Sequence, residues 1–156
     1  MNSHPARCLC PLPILSLLLL ASFCATAMAQ LPAARLANIF PPGGQSGGTT
    51  EVSVAGTDLD GLRELWFSHR GITAANVQSN RFQVAIAKDV PPGDYEVRAV
   101  GKYGATNPRT FSVGALAEFR EEQNSLDSPQ AVKLESTING RIDANSVDYF
   151  RFEAKA

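Results

Sequence analysis

Few side chains in this sequence are of types that do chemistry, and the first to weigh is His69, in Phe67-Ser68-His69-Arg70-Gly71. A serine–histidine–acid relay would need an imidazole of this kind as its base. The hydroxyl beside it, Ser68, is only a sequence neighbour, and no Gly-x-Ser-x-Gly elbow occurs anywhere. A turn role is therefore expected for His69. Asp58-Leu59-Asp60-Gly61 offers two carboxylates, the pair type a glycosidase uses, and overlaps part of a calcium loop. Gly56 stands where that loop's first ligand belongs and Phe67 where its closing Glu belongs, so turn chemistry accounts for it better. Gly43-Gly44-Gln45-Ser46-Gly47-Gly48 is rich in glycine but lacks the lysine and following helix of a phosphate cradle. Trp66, Phe67 and Tyr103 are candidates for an aromatic platform facing sugar or protein, with core or edge packing as the expectation. No catalytic residue is assigned.

The elements that must hold these residues read as strands. Glu51-Val52-Ser53-Val54-Ala55 alternates polar and apolar, which puts Val52 and Val54 on one face. Arg81 to Ile86 does the same with Phe82, Val84 and Ile86, and Asp94 to Val100 with Tyr95, Val97 and Ala99. Thr110-Phe111-Ser112-Val113 closes the series, while in Leu62 to Phe67 the side chains of Leu65 and Phe67 are expected inward and Trp66 on the edge or other face. Pro41-Pro42-Gly43-Gly44 and Gly47-Gly48 are expected to end the first strand, and Pro91-Pro92-Gly93, Gly104 and Asn107-Pro108 to mark later turns. Short period-two strands broken by turns at regular intervals predict an all-β antiparallel sandwich over 30–114, with about seven strands in two sheets.

The first 29 residues follow a different grammar. Arg7 lies in a short polar start, an apolar run follows from Leu12 to Phe23, and Ala27-Met28-Ala29 precedes Gln30. This is the order of a secretory signal peptide with small residues before its cut. The run is shorter than the ~20 apolar residues of a membrane span. All three cysteines (Cys8, Cys10, Cys24) fall inside it, so the mature chain is expected to have no disulfide, no thiolate and, with His69 alone, no usual zinc site. Lys and Arg number 14 against 15 Asp and Glu, and losing Arg7 takes the net charge from −1 to about −2. That balance excludes the basic footprint of a nucleic-acid binder, and no later segment is apolar for long enough to span a bilayer.

Two family resemblances add to this reading. Ile39-Phe40-Pro41-Pro42-Gly43-Gly44 and Gly47-Gly48-Thr49-Thr50-Glu51-Val52-Ser53-Val54-Ala55-Gly56-Thr57-Asp58-Leu59 resemble the opening of the IPT/TIG family. Pro92-Gly93-Asp94-Tyr95-Glu96-Val97-Arg98-Ala99-Val100, Asn107 and Phe111-Ser112-Val113 resemble its last two strands. The resemblance implies an immunoglobulin-like sandwich used as a spacer or binding module in surface and secreted proteins.

Beyond Gly114 the composition shifts. Residues 115–128 read as a charged linker, with a helical turn or two over Ala115 to Glu122 as the alternative. Over 129–156, Ala131 to Leu134 is a short strand, Ser136 to Ile142 carries an Asn139-Gly140 hairpin signal, and Val147 to Glu153 alternates again. This stretch resembles the start of the bacterial pre-peptidase C-terminal domain: Glu122-Gln123-Asn124-Ser125 for its opening, Asn139 to Ile142 for a strand, and Ser146 to Phe152 for its Asp-x-Asp-Tyr-Phe-x-Phe segment. Gln123 replaces the usual Pro and Ser146 the first Asp. The resemblance implies the first strands of an incomplete jelly-roll-like β-sandwich. Because three or so strands leave their edges unpaired, the chain is expected to be a fragment of a longer protein, with a gene cut short as the alternative. The resemblance also implies calcium at Glu121, Glu122, Asn124 and Asp148, with Asp143 nearby in sequence; the alternative is that these are solvated linker and turn residues. No other cofactor is expected.

The function expected from these features is a non-catalytic secreted, periplasmic or cell-surface module for spacing, adhesion or ligand presentation, with protein or polysaccharide as partner. The alternative is an accessory part of a secreted peptidase whose catalytic domain lies beyond Ala156.

Overall fold

The computed structural model describes residues 31–141 and 144–154. The expected signal segment, 1–29, lies outside the described residues, as do Ile142 and Asp143. Strands β1 (Arg35–Phe40), β3 (Thr49–Thr57), β6 (Arg81–Ile86) and β5 (Ile72–Gln78) form one antiparallel sheet in the order β1-β3-β6-β5. The second sheet runs β2-β9-β7-β4, from β2 (Gly43–Gln45), β9 (Arg109–Gly114), β7 (Gly93–Gly101) and β4 (Glu64–Phe67), with β8 (Gly104–Ala105) folded back on β7. This is the immunoglobulin-like strand order, with the first strand divided between the two sheets.

Alternation places the core. Val52, Val54, Phe82, Val84 and Ile86 of one sheet face Leu65, Phe67, Val97, Ala99, Phe111 and Val113 of the other, all buried. The Phe67 and Phe111 rings meet edge to face with centroids 5.3 Å apart, a favoured aromatic geometry. Trp66, between two buried neighbours on β4, is 47% exposed, as the period of two requires.

The division of the first strand departs from expectation. Pro41-Pro42-Gly43-Gly44 was expected as a turn, but the chain crosses between sheets at Pro41-Pro42 and Gly43–Gln45 is itself a strand. It pairs in parallel with β9, Gly43 opposite Ser112 and Gln45 opposite Gly114. A side chain at Gly43 would run into the Ser112 carbonyl oxygen, and one at Gly44 would come within 2.6 Å of Ile86 Cδ1. These glycines therefore serve close approach rather than reversal. The reversal follows at Gly47, whose φ is +76°.

Long-range hydrogen bonds tie down the remaining corners. Tyr95 Oη donates to the Pro91 carbonyl (2.7 Å), which fixes the entry to β7 in the manner of a tyrosine corner. Buried Thr106 accepts the Ala99 N–H at Oγ1 (3.0 Å) and donates to the Asn107 carbonyl (2.9 Å).

The chain from Pro32 onward forms one compact unit. Past the sandwich, β10 (Ala117–Arg120) pairs in parallel with β12 (Ser136–Asn139), and β11 (Gln130–Ala131) with β13 (Phe150–Arg151). Part of the stretch expected as linker or helical turn is thus a strand. The Asn139-Gly140 step does not serve as the expected hairpin among the described residues. Asn139 instead turns its side chain inward and donates to Glu118 Oε2 (2.8 Å), while Gly140 lies so close to Glu121 that an added Cβ would be 2.5 Å from its carboxylate. Among the described residues, these four strands in two parallel pairs do not close a second sandwich, and Leu126, Leu134, Val147 and Phe152 are each more than half exposed.

Candidate functional site

A cleft of about 630 Å³, lined by polar and apolar surface in equal measure, opens where the end of β1 meets the segment after β10. Phe40, the last residue of β1, forms its wall, with Ser53 opposite it on β3 donating to the Phe40 carbonyl (3.2 Å). Parallel pairing with β12 carries Arg120 to the end of β10, where its guanidinium carbon lies 5.3 Å from the Phe40 ring centroid. The same guanidinium donates to the Glu51 carbonyl (3.3 Å). Arg141, just past Gly140, brings a second guanidinium to 4.0 Å from that centroid. Both contacts are attractive through the negative face of the ring. The ion pairs among the described residues are Arg81–Glu51 and Arg98–Glu96, each 3.5 Å. Neither cleft arginine is therefore neutralised by a described carboxylate at ion-pair distance.

The four residues expected as calcium ligands all line this cleft. Two of them have structural partners. Glu121 Oε2 accepts the Arg141 N–H (2.8 Å), and Asn124 Oδ1 accepts the Tyr149 N–H (2.6 Å) while its amide donates to the Glu122 carbonyl (2.9 Å). The carboxylates of Glu122 and Asp148 make no hydrogen bond among the described residues, and no three His, Cys, Asp or Glu side chains converge there as a metal cluster. Asp143 lies outside the described residues.

The other sequence candidates are turn and core residues. His69 Nδ1 accepts the Gly71 N–H (3.1 Å) and its ring meets Tyr95 at 5.3 Å. Ser68 Oγ accepts the Glu96 N–H (3.0 Å), so hydroxyl and imidazole are engaged with different backbone amides. Asp58 adopts φ +53° in the β3–β4 turn, and the Asp60 carbonyl accepts the Lys102 N–H (3.0 Å). Phe67 is core, which separates it from exposed Trp66 and dissolves the aromatic platform. Phe40, Arg120 and Arg141 were not legible as a site in the sequence. Their one signal was an aromatic residue ahead of a double proline.

No family model matches the sequence, and no curated protein does. Among solved structures, the chain is similar to SGBP-B of the Bacteroides ovatus mixed-linkage glucan utilization locus, in complex with a mixed-linkage heptasaccharide (TM-score 0.38, 15% identity). That match covers 66% of this chain and spans 26% of SGBP-B. It is also similar to the titin M3 domain (TM-score 0.30, 17% identity), over 55% of this chain and 90% of that one. Among the described residues no helix is long and apolar enough to cross a membrane.

Proposed function

We propose that this chain is a non-catalytic β-sandwich module, secreted, periplasmic or held at the cell surface, whose cleft at Phe40 binds a polysaccharide. The observation that carries the reading is how the polar side chains are engaged. Ser68 and His69, the pair nearest to a nucleophile and base, each accept a separate backbone N–H. The Arg141 guanidinium and the Glu122 and Asp148 carboxylates, by contrast, line an open cleft beside an aromatic ring. Planar donors and acceptors around an apolar face are what a ring of hydroxyl groups requires. Electrophoresis of the purified chain through gels cast with different polysaccharides tests this. Retardation in at least one, without release of reducing ends, is the expected result; free migration through all of them would sink the reading.

Calcium enters the same proposal as an accessory of the cleft. Glu122 and Asp148 supply the open carboxylates, with Glu121 and Asn124 beside them, toward the six to eight oxygens the ion takes. Millimolar calcium is expected to raise the melting temperature, and Asp148→Asn to abolish the rise. An unchanged melting curve removes the ion from the reading.

A further inference from the structure

The charge layout of the cleft narrows its ligand, an inference that rests on the polysaccharide reading above. Two guanidiniums are gathered on one ring, Arg141 at 4.0 Å and Arg120 at 5.3 Å from its centroid, with no described carboxylate paired to either. Like charges brought together repel, and a bound anion relieves them. Glu121 is placed to do so by sequence but not by geometry, since its carboxylate holds the Arg141 backbone N–H. Arg120 keeps one donor on the Glu51 carbonyl, whereas the guanidinium N–H groups of Arg141 have no hydrogen-bond acceptor among the described residues. A guanidinium fork seated on an aromatic face is already oriented for a planar carboxylate.

We propose that the cleft selects an acidic, uronate-bearing polysaccharide. Its carboxylate accepts from Arg141 and Arg120, and its hydroxyl groups donate to Glu122 and Asp148. A neutral polymer satisfies the acceptors but leaves both cations unmatched. The chain as a whole is slightly acidic, with a net charge of −1, so general attraction to a polyanion does not substitute for the local pair.

The test is affinity electrophoresis of the full chain in EDTA, through gels containing polygalacturonate, a neutral mixed-linkage glucan or dextran sulfate. Polygalacturonate is expected to retard the chain more than either of the others. Arg141→Gln is expected to weaken that retardation about tenfold or more, Arg141→Lys less so, and Trp66→Ala, outside the cleft, not at all. Arg120→Gln serves as the second variant if Arg141→Gln lowers the melting temperature. Retention by the neutral glucan alone, or retention by polygalacturonate that both arginine variants leave intact, overturns the uronate site while the polysaccharide reading stands. Dextran sulfate bound as tightly as polygalacturonate reduces the site to plain charge and overturns it too. Free migration through all three, and through other polysaccharides with millimolar calcium in place of EDTA, removes the broader reading.

Discussion

Asn107 brackets the backbone of Leu36 from 71 residues away: its Oδ1 accepts the Leu36 N–H (2.9 Å) and its Nδ2 donates to the Leu36 carbonyl (3.1 Å). One amide thereby replaces a rung of sheet and closes the first strand over the last. Leu36 is 1% exposed and sits beside the irregularity in the β1–β3 register. Arg109 Nε also donates to the Leu36 carbonyl (2.9 Å), so the N–H is the group that depends on Asn107.

Asn107→Ala is accordingly expected to cost about 1–3 kcal/mol, chiefly from an unsatisfied N–H. Asn107→Asp is expected to cost more, because a carboxylate then faces the Leu36 carbonyl. Urea unfolding measures both; an Ala variant as stable as the parent would show that water replaces the bracket.

Tyr95→Phe deletes only the hydroxyl that holds Pro91. The loss is expected to be about 1 kcal/mol, or roughly 4–8 °C in melting temperature for a domain of this size. The ring contact with His69 survives, so Tyr95→Ala should cost clearly more in the same melt.

Adjacent residues on β4 make a sharper test. Phe67→Ala empties a core position against Phe111 and is expected to cost about 3–5 kcal/mol. Trp66→Ala, one residue earlier, removes a larger but half-exposed side chain and should change stability by less than about 1 kcal/mol. Equal effects in chemical denaturation would contradict the assignment of the two faces.

Gly43→Ala places a methyl group against the Ser112 carbonyl. The expected cost is about 1–3 kcal/mol, with amide exchange accelerated along β2 and β9 ahead of the other strands. Protection at Gln45 unchanged by the substitution would count against close packing there.

How much of this could be read in the sequence depended on where each strand lies. β3, β6 and β7 are central, each with one face against the core, so Val52, Phe82 and Val97 stood out by alternation. β5 did not, because it is an edge strand with only Ile72 buried. Beyond Ala74 both its faces meet solvent, and period two has nothing to report there. β2 was hidden for a different reason. Its glycines have a turn's composition but serve close approach, and the same holds for Gly140 against Glu121. The His69 turn was legible because its partner, Gly71, is local. The cleft was not, since Phe40 gains its meaning from Arg120 and Arg141, which only the parallel β10–β12 pairing and the Gly140 step bring to it.

The parallel alignment of β2 and β9 has a mechanical side. β2 lies near the start of the sandwich and β9 at its end, and both run in the same direction. Tension applied between the two ends draws β2 backward and β9 forward along a common line. The rungs at Gly43, Gly44 and Gln45 are then loaded together, in sliding, and must yield at once rather than peel one after another. A pull along the chain therefore meets this seam in shear and not by unzipping.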